Sequence, residues 1–157
     1  MPHSFNLSAR LNSPCPEDTF SIFNNWAIKA TGNFPQCIRN ADRIIDDCNR
    51  HFKDIHKLSA LELGSLEGHL SVTFDKHFRQ LTCIEGRPYH YLKALVAKEL
   101  LGLKAKILCG NFINFLRETD ERWDVIIATG VLYHMHNPIE LIKLMSQHSG
   151  TAVAIHN

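Results

Sequence analysis

The chain has 157 residues, 45% of them hydrophobic and 21% charged, which suits one globular domain with a single core. Lys and Arg total 17 against 16 Asp and Glu, so the formal net charge is +1. That balance gives no electrostatic case for a nucleic acid or an anionic membrane as the main partner, and no run approaches the ~20 apolar residues that span a bilayer.

In chain order, the opening stretch "MPHSFNLSARLNSPCPEDTF" lacks the charged start and apolar run of a signal peptide, so the cytoplasm is the expected compartment. Turn signals recur at residues 13–16 and 32–35. The segment "CIRNADRIIDDCNRHF" then puts Ile38, Ile44, Ile45, Cys48 and Phe52 on one helical face. Residues 1–56 therefore read as an N-terminal helical and irregular layer packed on the main domain. Trp26, Asp42 and Arg43 in this layer are candidates for the wall of a substrate pocket.

From residue 57 to residue 157 strand and helix signals alternate. "LSALEL" (58–63) predicts a strand, and Leu70, Phe74 and Phe78 predict a helix face. "LTCIE" (81–85) is a second strand. A helix follows from Pro88, with Leu92, Leu95, Val96 and Leu100 expected on its buried side. "KAKILC" (104–109) is a third strand, "FINFLRE" a short helix and "WDVIIAT" (123–129) a fourth strand. Asn137-Pro138-Ile139-Glu140 is a helix start in which Asn caps, Pro fits the first turn and Glu140 can reach back to the cap amide. That helix runs to about His148, and "TAVAIH" (151–156) is a fifth strand. Five alternations of near-continuous apolar strands with helices predict a doubly wound, mostly parallel α/β sheet. In such sheets ligands bind beyond the carboxyl ends of the strands.

The five cysteines form no CxxC pair, and Cys83 and Cys109 read as small buried hydrophobes. His134 and His136 have no companion ligand at metal spacing, so no metal is expected.

The loop after the first strand carries the chemistry. Gly64 permits a tight turn, and Gly68 opens the next helix. Glu85 ends the second strand, 21 positions after Gly64, about where a carboxylate accepts ribose hydroxyls. The dinucleotide fingerprint fails, because Leu66 and His69 stand at its second and third glycine positions. Glu62 and Glu67 would repel a pyrophosphate and suit a nucleoside with a cationic tail. His69 reads as packing and Asp124 as a strand-start cap.

With these residues on the page, "ALELGSLEGHL", "CIEGRPYHYLKALVAKELLGL", "CGNF" and "WDVIIATGVLYHMHNP" together resemble the class I, seven-stranded S-adenosylmethionine (SAM)-dependent methyltransferases. The branch most similar has Glu-Leu-Gly-x-Leu-Glu-Gly and Gly-Val-Leu-Tyr-His loops. The resemblance implies a Rossmann-like sheet of strand order 3-2-1-4-5, and SAM as cofactor. It implies that Glu62, Gly64, Ser65 and Gly68 form the first motif, around the methionine portion. Glu85 corresponds to the ribose acid, and Asn111 and Phe112 to the step beside adenine. Thr129 to His134 correspond to the loop bordering the methyl group, with His134 and Tyr133 the catalytic candidates. Asn111 stands where Asp is usual; its oxygen can still accept from the adenine amino group.

The family's last two strands are absent, so the chain is expected to be truncated after strand five. That strand would be an exposed edge along which a second copy could pair. The expected acceptor is a small molecule or a saccharide. The alternatives are modification of a tRNA wobble uridine on the same fold, or a non-catalytic SAM-binding module.

Overall fold

The computed structural model of the protein describes residues 35–156. Strands β1 (Ser59–Leu63), β2 (Gln80–Glu85), β3 (Lys106–Cys109), β4 (Trp123–Thr129) and β5 (Ser149–His156) form one sheet in the order 3-2-1-4-5. Every pairing is parallel. The helices are α1 (Pro35–His51), α2 (Ser71–His77), α3 (Pro88–Leu101), α4 (Phe112–Glu118) and α5 (Pro138–His148). Trp26 lies outside the described residues. None of the described helices is long and apolar enough to cross a membrane.

The central strand β1 is buried at every position, as a strand covered on both faces must be. Its side chains alternate between two cores. Ala60 joins Phe74, Ala94, Val125 and Ile127 on one face. Leu61 and Leu63 join Leu116, Ile126, Leu141 and Met145 on the other. The helix α1 adds Ala41, Ile44, Ile45 and Cys48 to the first core, and Phe52 packs against it. Asp42 and Arg43 face solvent on the opposite side of that helix.

Three expectations are corrected. The buried residues of α3 are Ala94 and Ala97, whereas Leu92 is 59% exposed and Leu100 45%. Ala94 packs against the loop after β1: a Cβ on Gly68 would lie in ordinary contact, 3.7 Å from the Cβ of Ala94. Cys109 is exposed, because it ends an edge strand. Glu140 does not return to the cap. Asn137 Oδ1 accepts from the Glu140 amide at 3.2 Å as expected, but the Glu140 carboxylate is held by Arg117 of α4.

Asp124 is a structural cap, as read from the sequence, and it acts across the sheet. Its Oδ2 accepts from the Ser59 amide at 2.7 Å and the Ser59 hydroxyl at 2.8 Å, while the Asp124 amide donates back to Ser59 Oγ at 3.1 Å. The Ser59 amide bond is the main influence holding this carboxyl below its ordinary range. Asp124→Ala leaves two donors at the start of the central strand without their acceptor. It is expected to destabilise the fold by about 1–3 kcal/mol, measured by urea unfolding. A variant as stable as the parent would show that water replaces the carboxylate at no cost.

Candidate functional site

Because all five strands run in one direction, their carboxyl ends lie together, and the loops that follow β1, β2 and β4 meet there. Gly64 turns the chain out of β1 at φ 72° and donates to Ile84 O at 2.8 Å. A Cβ on Gly64 would lie 3.0 Å from Val131 Cγ2, so glycine allows the loops after β1 and β4 to touch. Leu66 follows at φ 50°, a left-handed conformation that a side chain resists. Its amide is held by Glu85 Oε2 at 2.8 Å.

Glu85 is 3% exposed at the tip of β2. Its second oxygen, Oε1, accepts from the Arg87 amide at 2.8 Å. A carboxylate offers about four acceptor positions. One bond on each oxygen leaves an acceptor position on each, the arrangement two neighbouring hydroxyls require. Between these loops lies a cleft of about 280 Å³. Gly64, Leu66 and Glu85 line one side of it; Phe112, Thr129 and Met135 contribute elsewhere. A smaller recess of about 180 Å³ continues past Gly86 and Phe112 to Asn111 and Ile113. The Thr129 hydroxyl, on the cleft lining, is buried with no hydrogen-bond partner among the described residues. A buried hydroxyl left open on a cavity wall is a place for a ligand's polar group.

Residues 35–155 match the family profile described as a methyltransferase domain. The chain belongs to that family. No curated protein matches its sequence. Solved structures share the fold of this methyltransferase domain at low identity. One is the SAM-bound amino pentose methyltransferase of calicheamicin biosynthesis from Micromonospora echinaspora. It is 16% identical with a TM-score of 0.61, over 71% of this chain and 46% of that one. A SAM-dependent methyltransferase from Clostridium acetobutylicum is 18% identical with a TM-score of 0.61, over 85% of this chain and 53% of that one. The N-terminal domain of EvdMO1, crystallised with SAH and D-fucose, is 20% identical with a TM-score of 0.56, over 70% of this chain and 48% of that one. The methyltransferase domain thus spans about half the length of these structures.

The cleft brings together Gly64, Glu85, Phe112, Thr129, Tyr133 and His134 of the residues read from the sequence. Tyr133 is 67% exposed, and its ring lies 4.0 Å, centroid to centroid, from that of the exposed His134. Four others do not line it. Gly68, at φ 88°, packs behind the loop against α3. The Ser65 side chain is buried. Asn111 faces the smaller recess, but its Oδ1 caps α4, accepting from Ile113 and Asn114 amides at 2.9 and 3.2 Å. The oxygen expected to meet adenine is thus committed, and the amide NH₂ is what remains. Glu62 is 2% exposed on the far side of β1, where its Oε2 accepts from Ser71 Oγ at 2.5 Å and from Cys83 Sγ at 3.4 Å. Burial pushes its carboxyl up to about 7, against the Ser71 and Cys83 donors that pull it down and with the charge of Glu85 adding to the rise.

The charge argument for a cationic tail loses two of its carriers. Glu62 is walled off, and Glu67 is engaged by Lys93 at 2.5 Å. The carboxylate that does face the cleft is Glu85. Sequence reasoning also missed Leu66, Gly86, Arg87 and Met135 on the lining. Gly86 and Arg87 were findable, because they continue the loop that Glu85 begins. Met135 carries no distinguishing signal in the sequence.

Proposed function

We propose that this domain is the cofactor-binding part of a SAM-dependent methyltransferase acting on a small-molecule or saccharide acceptor. One observation carries the reading: a buried carboxylate with an open acceptor position on each oxygen, at a strand tip beside a glycine turn on the cleft lining. Glu85 would take the ribose hydroxyls, the Gly64–Leu66 turn the amino-acid portion, and Phe112 with the Asn111 amide the adenine. Thr129 would supply its unpartnered hydroxyl to the polar part of the cofactor. When bound, SAM supplies a methyl group on a positively charged sulfur, already electrophilic. The chain's own task is then positioning and exclusion of water, worth up to ~7–11 kcal/mol in favourable cases. Tyr133 and His134 border the open side, where a neutral imidazole at His134 would take the acceptor's proton.

A small acceptor is favoured by the charge of the lining. Among the described residues, Arg87 is its one permanent cation and Glu85 its one carboxylate. Among the described residues the lining offers no basic track for a nucleic-acid strand. The solved structures with sugar-related names agree with this choice without fixing the acceptor. The cytoplasm remains the proposed compartment, and pairing of two copies along β5 remains a proposed assembly.

Calorimetric titration with S-adenosylhomocysteine (SAH) tests the cofactor site. Wild type is expected to bind, and Glu85→Ala to bind at least tenfold more weakly (~1.4 kcal/mol), with Glu85→Gln intermediate. An affinity unchanged by both substitutions in folded protein would refute the assignment of Glu85.

A further inference from the structure

We infer a second binding site, for a phosphoryl-bearing anion, at the opposite end of the sheet from the cleft. The amino ends of β2 and β3 open onto a cavity of about 340 Å³. Four cations line it: Lys76 and Arg79 from the end of α2 and the turn after it, Lys104 and Lys106 from the start of β3. They are separated by up to thirty positions in the chain and are gathered by the β2–β3 register, in which Thr82 stands beside Lys106. Its floor is apolar and rigid, formed by Phe78 and Leu81, which are 5% and 2% exposed.

The neighbouring acids do not neutralise this group. Asp75, the one carboxylate on the lining, holds the Lys104 amide through Oδ2 at 3.0 Å and so shapes the turn. Glu121 reaches only Lys106, at 3.8 Å. Asp124 feels the charge of Arg79, and one of its two oxygens, Oδ2, is committed to Ser59. A chain of net charge +1 thus concentrates four cations around one concavity with, among the described residues, a single acid on its lining. Like charges so gathered repel one another until a multivalent anion joins them. Arg offers a planar fork to a phosphoryl group, and the three lysines offer point charges. The volume admits a group the size of pyrophosphate. The shared chemistry fits either a phosphorylated small molecule or phosphates of a nucleic-acid backbone.

The test is titration of the full chain with inorganic pyrophosphate at constant ionic strength, which removes general screening as a variable. Saturable binding is expected. Lys76→Gln combined with Lys104→Gln, and separately Arg79→Gln, should each weaken it about tenfold or more. Arg87→Gln, at the cleft, should leave it unchanged. Circular dichroism confirms that each variant is folded, and the two independent substitutions guard against the loss of either. A short single-stranded oligonucleotide that displaces pyrophosphate would identify a nucleic-acid backbone as the source; failure to displace it would identify a low-mass phosphate. Absence of saturable binding, or binding that survives both sets of substitutions, would overturn the site.

Discussion

Glu62→Gln is expected to remove a pH dependence of stability worth on the order of 3 kcal/mol. The sign follows from where the proton resides. The Glu62 carboxyl is raised from an ordinary 4.5 to about 7 by burial. Below the lower value the carboxyl is protonated in the folded and unfolded chains alike, and the group's full contribution is present. Between the two values the unfolded chain releases the proton while the folded chain keeps it. Stability therefore falls as pH rises, by about 1.4 kcal/mol per unit, until the folded carboxyl ionises too. Glutamine has the same shape, can still accept from Ser71, and does not titrate. Urea unfolding of both proteins at about pH 5 and about pH 8 gives the answer. Wild type should lose stability relative to the variant across that interval. Parallel behaviour would mean that Glu62 is ionised in the fold throughout, stabilised by its two donors.

Gly64→Ala should cost the protein both stability and affinity. The residue adopts φ 72°, which adds roughly 1–2 kcal/mol of backbone strain for any side chain. The new methyl would also arrive 3.0 Å from Val131 Cγ2 and push apart the two loops that form the cleft. Gly68→Ala is the matched comparison. It has the same kind of strain, at φ 88°, but its nearest neighbour would be at an ordinary 3.7 Å. Thermal unfolding should rank Gly64→Ala below Gly68→Ala, and SAH titration should show the larger loss for Gly64→Ala. Equal losses in both measurements would mean that the approach of Val131 is unimportant.

The sheet was legible because its strands are apolar runs between unmistakable turn signals, and a parallel sheet of that kind has few possible orders. All five strands and the core helices follow from that, whereas the order 3-2-1-4-5 came from the family resemblance. The buried face of α3 was not legible. Periodicity selects the large residues Leu92 and Leu100, whereas the helix buries Ala94, beside the Gly68 loop, and Ala97. The cleft residues fell at strand tips, where parallel topology fixes direction, so Gly64, Glu85 and Thr129 could be placed in advance. Which partner each side chain takes was hidden. Glu62 and Glu67 look alike as acids flanking a glycine, yet strand alternation turns one toward Ser71 and helix packing turns the other toward Lys93. The Asn111 oxygen was likewise lost to a local cap that competes with any ligand.

The central position of β1 bears on how the protein is made. The strand pairs with β2, 21 positions later by register, and with β4, 65 positions later. During synthesis the 1-2-3 half of the sheet can assemble once residue 109 has emerged, whereas one edge of β1 stays without its partner until residues 123–129 follow. The Ser59–Asp124 pair closes that edge and the cleft in a single event, because Val131 reaches the Gly64 turn only when β4 is seated. The nascent half-sheet carries the strand that is buried at every position in the fold with one edge unprotected over that interval, the stretch in which a chaperone or a slowed ribosome would matter most.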